Sequence, residues 1–276
     1  MGWWNAPASA LDAPPWLSCH GSPTPSSLAE CRALAKVIAI HSMKGGVGKS
    51  TLAVNLAHAA AAAQLRTVLW DIDAQGGATF LLGIKGAPRK KERAARIFAR
   101  DMSAAALARP TAFAGLDIIA ADLSLRRLDH DLAEVERPKR LRRLIGDLAP
   151  TYDCIVLDCP PGLGELSDQI IRAADLMVMP LLPVPVAMRT LDQVRAHIAE
   201  HHARRAPPLL PVFSMVDRRK TLHREAMARE PDWPAIPHAS VVERMAVKRR
   251  PLASYAAASP AARATHAVWD KVATLL

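Results

Sequence analysis

The sequence has few cysteines and no long apolar run, and each shortage argues against a class of protein. Only 4 of its 276 residues are cysteines and no pair has CxxC spacing, which disfavours a disulfide framework and a cysteine-ligated metal centre. We expect all four to be reduced thiols of a cytosolic protein: Cys19, Cys31, Cys154 and Cys159. No segment approaches the run of about 18 apolar residues that a membrane-spanning helix needs, so no membrane span is expected.

The remaining composition indicates one α/β domain. Half of the residues are apolar, enough to bury one large core, and short apolar runs alternate with helix-like stretches. Strands are predicted at 37–42, 67–72, 116–120, 153–158, 176–180 and 209–216, and helices at 50–63, 122–134, 138–148, 187–205 and 259–275.

Residues 1–34 differ from the rest, because proline, serine and alanine dominate there. We predict a disordered tail over 1–34 and a single folded domain over 35–276. The first residues lack the basic character of a secretory signal. Trp3, Trp4 and Trp16 leave open a partner-binding or membrane-touching role, and a start placed too far upstream would explain the tail equally well.

A glycine-rich loop follows the first predicted strand. Residues 43–51 spell Met-Lys-Gly-Gly-Val-Gly-Lys-Ser-Thr and precede a helix-like stretch. Glycines in such a loop let several backbone N–H groups point at one anion, and the N-terminus of the following helix adds positive charge. In this arrangement Lys49 contacts the β- and γ-phosphates of a nucleotide and the Ser50 hydroxyl contacts Mg²⁺.

Carboxylates follow two other apolar runs. Asp71 and Asp73 come at the end of one predicted strand and Asp158 at the end of another. Buried parallel strands deliver such residues to the carboxyl edge of the sheet, where open α/β sheets bind ligands. Phosphoryl transfer requires a group that orients the nucleophile, a metal ion and a cation on the transferring oxygens, and these residues supply candidates.

With Lys44 inside the glycine-rich loop, these segments resemble the deviant Walker-A ATPases of the ParA/MinD superfamily, and most of all its ParA (Soj-like) branch. The resemblance extends over about residues 35–275 and includes Tyr152–Pro161 as the Walker-B strand and its Pro-Pro turn. Ala74 and Gly77 stand where that branch has proline and asparagine. The family fold is a P-loop NTPase with a mostly parallel central sheet of about seven strands and helices on both faces.

The resemblance assigns roles to individual residues, with ATP and Mg²⁺ as cofactors. Asp73 positions the attacking water, Asp158 holds Mg²⁺ through water, and Asp71 supports the metal side. Lys44 reaches the nucleotide of a partner subunit, which implies a homodimer formed on ATP. The catalytic set is Lys44, Lys49 and Asp73; the metal set is Ser50, Asp71 and Asp158; the ATP-binding set is Lys44, Gly45, Gly46, Val47, Gly48, Lys49, Ser50, Thr51 and Pro237.

A net charge of +10 indicates either a polyanionic partner or an arginine-rich composition. Basic clusters at Arg89–Lys91, 137–143 and Arg204–Arg205 are most simply solvated faces. The resemblance implies nonspecific DNA as the partner, contacted through Arg219, Lys248, Arg249 and Arg250. It also implies a ParB-like or other cargo adaptor that stimulates hydrolysis, and a cytoplasmic, nucleoid-associated location.

Two alternative functions remain open. One is a MinD-like ATPase that cycles on a membrane, although residues 261–276 resemble a packing helix more than a basic membrane-targeting one. The other is a nucleotide-binding scaffold of an envelope or secretion complex. The ten histidines show no metal-ligand spacing, and His201–His202 is interpreted as a solvated pair.

Overall fold

The computed structural model describes residues 35–85, 98, 103–128, 130, 132 and 139–276. The predicted tail 1–34 and the cluster Arg89–Lys91 lie outside the described residues, as does part of the predicted helix 122–134.

One sheet of eight strands forms the centre of the described residues, in the order β3-β4-β2-β5-β1-β6-β7-β8. All neighbours are parallel except β3 and β4. The strands are β1 Lys36–Ile40, β2 Thr67–Asp71, β3 Ala108–Pro110, β4 Leu116–Ile119, β5 Cys154–Asp158, β6 Leu176–Leu181, β7 Leu209–Val216 and β8 Ala235–Pro237. The mostly parallel α/β sheet predicted from the sequence is confirmed, with three-residue strands β3 and β8 added at its two edges.

Helices cover both faces of this sheet. Successive residues of each strand point to opposite sides, so each strand contributes side chains to a core on either face. Val37 and Ala39 of β1 belong to one apolar core, and Ile38 and Ile40 to the other. In the described residues the helices are α1 Lys49–Ala62, α2 Gly77–Leu81, α3 Arg140–Gly146, α4 Glu165–Ala173, α5 Pro185–His201, α6 Thr221–Arg229, α7 Ser240–Glu243, α8 Met245–Lys248, α9 Ala253–Ala256 and α10 Pro260–Leu275. Helices α3, α4 and α5 pack on the first core, and α1 and α10 on the second.

Several helices differ from the sequence prediction. The predicted helix 187–205 begins at Pro185 and stops at His201, and a separate 3-10 helix covers Ala203–Arg205. The predicted helix 122–134 begins as a 3-10 helix, Leu123–Arg127. The sequence predicts helices between the strands, with bounds only for the longest. Helices α2, α4 and α6 have only 5, 9 and 9 residues and offer short periodic patterns, so their bounds were not predicted.

The register of three central strands places polar residues at one edge of the sheet. Ile40 is paired with Asp158, and Asp158 is also paired with Asp71. The glycine-rich loop leaves β1 directly beyond Ile40, so it starts beside both carboxylates.

Candidate nucleotide-binding site

The glycine-rich loop connects the carboxyl end of β1 to the N-terminus of α1. Gly48 precedes the first helical residue with φ of 89°, in the left-handed region that favours glycine. A Cβ at Gly48 would also lie 3.2 Å from Ser214 Oγ at the end of β7. The loop is therefore held close to β7, and a glycine is needed both for its backbone conformation and for this approach.

The two lysines of the loop have different environments. Lys49 is buried, with 7% of its surface exposed, and its Nζ donates to the carbonyl oxygen of Lys44 at 3.4 Å. Lys44 itself is exposed to solvent. One lysine is thus placed inside the cradle, and the other is available to a second molecule.

Asp71 and Asp158 lie side by side at the ends of adjacent strands, and both are fully buried. Asp71 Oδ2 accepts from Thr79 N and Thr79 Oγ1, both at 2.8 Å, and Oδ1 accepts from Asp73 N at 3.3 Å. Burial is the main reason that the pKa of Asp71 rises to about 6. These bonds tie the start of α2 to the end of β2.

Asp158 differs from Asp71 in that neither of its oxygens has a hydrogen-bond partner of ordinary geometry among the described residues. Burial, and next the charge of Asp71, raise the pKa of Asp158 well above its usual range, while Ser50 and Lys49 act in the opposite direction. A buried, unpartnered carboxylate beside a hydroxyl is a suitable position for Mg²⁺, which prefers oxygen ligands. The residues present therefore fit the metal that the motif implies.

Gly77 makes room for the Ser50 hydroxyl. A Cβ at position 77 would lie 2.4 Å from Ser50 Oγ and 2.9 Å from Ser50 Cβ, closer than real Cβ atoms approach other heavy atoms. The glycine at this position, where the resemblance has asparagine, is thus explained by the close approach of α2 to the start of α1. This contact could not be deduced from the sequence.

Asp73 lies two residues beyond the end of β2 and is only partly buried. Its Oδ1 accepts from the backbone N–H of Gln75 at 2.9 Å. Asp73 and Gln75 line an open groove of about 720 Å³ together with Arg126 and residues 160–164 after the Walker-B strand. Water and a second protein surface can both reach the Asp73 carboxylate from this groove.

Pro237, the last residue of β8, also lies close to the glycine-rich loop. It pairs in register with Val216 and lines a cavity of about 100 Å³ with Gly48 and Thr51. An adenine base placed there would lie between α1 and the ends of β7 and β8. The distant Pro237 thus lies against the same loop as the other predicted ATP-binding residues.

His41 is a buried polar residue of this region that the sequence analysis missed. It directly follows β1, has 0% exposure, and forms a hydrogen bond of 2.9 Å between its Nε2 and the carbonyl oxygen of Gly162. Burial lowers the pKa of His41 to about 4. The ring ties the beginning of the phosphate loop to the turn after the Walker-B strand, across 121 residues of sequence.

The predicted DNA-binding residues differ in how far their side chains are bound to other groups of the chain. The exposed guanidinium of Arg219 forms two hydrogen bonds of 2.9 Å with Asp217, which hold the pKa of that carboxyl well below its usual range. Arg249 lies over the Phe80 ring, with its guanidinium carbon 3.3 Å from the ring centroid, and donates to the Phe80 carbonyl oxygen. Lys248 and Arg250 are exposed on either side of it.

A second basic surface is formed by clusters that are separate in the sequence. A cleft of about 430 Å³ is lined by five cationic residues: Lys139, Arg142, Arg172, Arg204 and Arg205. His202 also lines it, but its side chain is only 3% exposed and bonds to Asp168, so the interpretation of His202 as solvated is wrong. His201 is exposed as expected.

Comparison with known proteins identifies the family. A family model described as an AAA domain matches residues 35–209. ParA, the chromosome partitioning protein of Caulobacter vibrioides, is 33% identical over 193 residues, 68% of this chain and 72% of its own. The chain belongs to the ParA branch of the ParA/MinD superfamily. The sporulation initiation inhibitor protein Soj of Bacillus subtilis is 36% identical over 162 residues, 58% of this chain. That match spans only 64% of the length of Soj.

Solved structures show the same fold. Apo McdA of Cyanothece superposes with a TM-score of 0.74 at 19% identity, covering 86% of this chain and 98% of McdA. The septum site-determining protein MinD of Pyrococcus horikoshii, complexed with Mg-ADP, superposes with a TM-score of 0.69 at 20% identity, covering 87% of this chain and 96% of MinD. The P-loop NTPase fold expected from the loop and its flanking elements is therefore confirmed.

Proposed function

We propose that this ParA-branch chain hydrolyses ATP to ADP and phosphate with Mg²⁺ as cofactor. The observation that carries the proposal is the buried Asp158, which lies beside Ser50 and Lys49 at the end of a glycine-rich loop and has no hydrogen-bond partner of ordinary geometry in the described part of the chain. Ser50 and Asp158 would hold Mg²⁺, with Asp71 behind them, and the ion would neutralise phosphate charge. Lys49 would contact the β- and γ-phosphates, and residues 45–51 would bind them through backbone N–H groups.

Asp73 would act on the water, not on the nucleotide. Its carboxylate is partly buried, lines the open groove and is fixed by the N–H of Gln75. A carboxylate held in this way orients a water for in-line attack without itself binding the phosphates. A McdA structure in complex with ATP and the MinD structure with Mg-ADP support a nucleotide and Mg²⁺ as the ligand pair.

Lys44 would act in trans across an ATP-dependent homodimer. Its backbone is held by Lys49 while its side chain is exposed, so the cation is free to reach the phosphates of a partner's nucleotide. A cation supplied from a second subunit couples hydrolysis to assembly, as an arginine finger does.

The ATP dimer would bind nonspecific DNA and use hydrolysis to partition or position a plasmid, a chromosome locus or another cargo. The net charge of +10 and the exposed Lys248, Arg250 and Arg219 support a polyanionic partner. The named relatives include a chromosome partitioning protein. A ParB-like or other adaptor would stimulate hydrolysis, and the chain would work in the cytoplasm on the nucleoid.

The two alternative functions have less support. The MinD-like alternative needs a terminal helix free to enter a membrane, but α10 buries Ala261, Val268, Trp269 and Val272 in the domain. No helix of the described residues is long and apolar enough to cross a membrane. The intact set Lys44, Lys49, Asp73 and Asp158 counts against a scaffold that binds nucleotide without turnover, because Lys44 and Asp73 would then have no task. We propose residues 35–276 as the ATPase domain, with 1–34 as its tail.

Three alanine variants test the assignments. Lys49→Ala should lose ATP binding, because the main cation on the β- and γ-phosphates is gone. Asp73→Ala should bind ATP normally, lose most turnover and accumulate as a dimer. Lys44→Ala should bind ATP as a monomer and neither dimerise nor hydrolyse it. Binding is measured by calorimetry, turnover by phosphate release, and assembly by size-exclusion chromatography.

A mixture separates action in trans from action in cis. In a mixed dimer, Lys44 of the Asp73→Ala chain faces the intact Asp73 of the Lys44→Ala chain, so part of the activity should return. Activity no greater than the sum of the two separate variants would refute the trans role. Full ATP affinity in a folded Lys49→Ala protein would refute the nucleotide site itself.

A further inference from the structure

Two histidines and one aspartate converge between α4 and α5, outside the residues assigned to the nucleotide. His197 Nε2 and His202 Nε2 lie 2.7 and 2.8 Å from the same oxygen, Asp168 Oδ1. One ligand atom of each residue lies within 4.8 Å of the other two. We infer that Asp168, His197 and His202 bind a divalent transition-metal ion, and that Zn²⁺ is the ion their ligand set fits best.

The donor atoms determine the class of ion. Imidazole nitrogens suit zinc and its neighbours in the first transition row, whereas Mg²⁺ and Ca²⁺ prefer all-oxygen sites. Two histidines and one carboxylate are a three-ligand zinc set that leaves a fourth position for water or a ligand atom. The cluster is thus chemically different from the oxygen ligands Ser50 and Asp158, and excess Mg²⁺ should not compete for it.

The spacing of the three atoms is close to that of a coordinated site. With zinc bonds of about 2.0–2.2 Å, ligand atoms at the corners of a tetrahedron are about 3.3–3.6 Å apart. The nitrogen–oxygen pairs at 2.7 and 2.8 Å are at hydrogen-bond spacing, so they would separate by about 0.5–0.9 Å on binding. Each Nε2 would bind the metal through its lone pair. The proton that it shares with Asp168 would move to Nδ1 if the ring is neutral, or leave for solvent if the ring is protonated. The metal would then be coordinated by both Nε2 atoms and by the Asp168 carboxylate.

The ligands stand on regular elements that restrict their movement. Asp168 is in the first turn of α4, and His197 is in the last turns of α5. His202 directly follows α5, and its N–H donates to the carbonyl oxygen of Ile198 at 2.8 Å. This preorganisation lowers the entropy cost of bringing the three groups together.

Burial gives the cluster a closed inner side and an open outer side. The His202 side chain is 3% exposed, while those of His197 and Asp168 are 21% and 22% exposed. An ion can therefore enter between His197 and Asp168 and stop against His202. The sequence gives no sign of this, because Asp168 precedes the two histidines by 29 and 34 residues.

The charge around the cluster limits the expected affinity. The cleft that His202 helps to line contains five cationic residues, Lys139, Arg142, Arg172, Arg204 and Arg205, against one acid, Glu200. Asp168 is the one anionic ligand of the cluster. Repulsion from these cations opposes a divalent ion. We therefore expect a dissociation constant of about micromolar size, weaker than that of structural zinc sites with several thiolates.

The test uses untagged full-length protein, stripped with EDTA and kept in excess Mg²⁺ without nucleotide. Zn²⁺ is titrated calorimetrically into the wild type, His202→Ala, Asp168→Asn and His266→Ala. His266→Ala is the matched control, because His266 forms an exposed two-residue pair with Asp270. We expect one Zn²⁺ per chain in the wild type and the control, and at least tenfold weaker binding in the two cluster variants.

Co²⁺ provides a spectroscopic check. A nitrogen- and oxygen-ligated tetrahedral ion should give visible ligand-field bands without thiolate charge transfer, since Cys154 and Cys159 are not among the ligands. Zn²⁺ should also raise the Tm of the wild type but not of Asp168→Asn, a variant that keeps the side-chain shape if His202→Ala fails to fold. Equal Zn²⁺ affinity in the wild type and Asp168→Asn, or no uptake by the wild type, would overturn the inference. No arm of the experiment depends on ATP hydrolysis.

Discussion

Gly77 illustrates how one residue without a side chain can control the position of Ser50, a proposed metal ligand. Because a Cβ there would lie 2.4 Å from Ser50 Oγ, Gly77→Ala must displace the hydroxyl or move α2. We expect the variant to bind Mg·ATP about tenfold more weakly, a cost of about 1.4 kcal/mol, with a smaller loss for ATP in EDTA. Nucleotide titrations with and without Mg²⁺ measure the difference.

Gly146→Ala is the matched control for Gly77→Ala. A Cβ at Gly146 would meet nothing within 4 Å, and the residue ends the helix α3. Its nucleotide affinity should equal that of the wild type. Undiminished Mg·ATP affinity in Gly77→Ala would contradict the prediction: either α2 moves and leaves the Ser50 hydroxyl in place, or Ser50 does not contact the metal.

The lowered pKa of His41 predicts that the protein loses stability in acid. Its pKa is lowered to about 4 in the folded chain, whereas an unfolded histidine titrates near 6.5. Between these values the unfolded state binds more protons, so the free energy of unfolding falls as pH falls from about 6.5 to about 4. The full effect of His41 is about 3 kcal/mol. Denaturant unfolding across this range measures it.

The comparison variant for this effect is His41→Gln, which retains polar character but does not titrate. Its unfolding free energy should fall less steeply with acid than that of the wild type, whatever its stability at pH 7. Asp71 changes stability in the opposite direction, because its pKa of about 6 makes the folded state bind more protons. Parallel pH profiles for wild type and His41→Gln would contradict the assignment.

At the scale of elements, the long buried strands were predictable and the short edge elements were not. A run such as Val68–Trp70 ending in a carboxylate predicts both a parallel strand and the position of Asp71. Strands β3 and β8 have 3 residues each, too few for a pattern of apolar positions. Their formation depends on pairing with β4 and β7, and this information lies elsewhere in the chain.

The same difference between local and long-range information separates the site residues that could be predicted from those that could not. Lys49, Ser50 and Asp158 belong to contiguous motifs and could be named from the sequence. His41 and the Asp168–His197–His202 cluster depend on contacts over 29 to 121 residues of chain. Such contacts follow from how α4 and α5 pack on the sheet, and no spacing rule in the sequence expresses them.

Arg249 connects the short helices α8 and α2, and its own backbone conformation is strained. It ends α8 in the left-handed region with φ of 53° and reaches over Phe80 of α2. We expect Arg249→Ala to destabilise the chain by about 1–2 kcal/mol, the sum of a surface cation–π contact and one hydrogen bond. Arg249→Gly should lose less, since glycine relieves the left-handed strain. Chemical denaturation gives the order.

Arg250→Ala is the control for the connection between α8 and α2. Arg250 is exposed, next in sequence to Arg249, and should change stability by less than about 0.5 kcal/mol. Equal effects of Arg249→Ala and Arg250→Ala would show that the contact with Phe80 contributes nothing. This role also means that Arg249 should be left unchanged when DNA binding is tested.

At the scale of the whole molecule, the apolar surfaces of the described elements are largely buried against one another, whereas much of the positive charge is exposed. Both faces of the sheet are covered, and the terminal helix α10 is packed into one of the two cores. The excess positive charge is instead presented on exposed segments, including Lys248 and Arg250 after α8 and the cleft that contains Arg204 and Arg205. If the proposed ATP dimer binds DNA, either of these basic surfaces is a candidate for the contact.

Two matched charge reversals separate these surfaces. Lys248→Glu with Arg250→Glu and Arg204→Glu with Arg205→Glu each exchange two exposed cations for two anions. Two copies of a basic face in an ATP dimer make more phosphate contacts at once, so ATP should switch binding on. On unrelated duplexes, the slope of log affinity against log salt concentration should be about −0.9 per phosphate neutralised.

We expect the Lys248→Glu/Arg250→Glu variant to lose DNA binding and the Arg204→Glu/Arg205→Glu variant to keep most of it, with ATP-dependent dimerisation intact in both. Gel shifts with ATP and ADP at two salt concentrations measure this. The opposite order would move the interface to the basic cleft, and equal binding in ATP and ADP would remove the link between nucleotide and DNA.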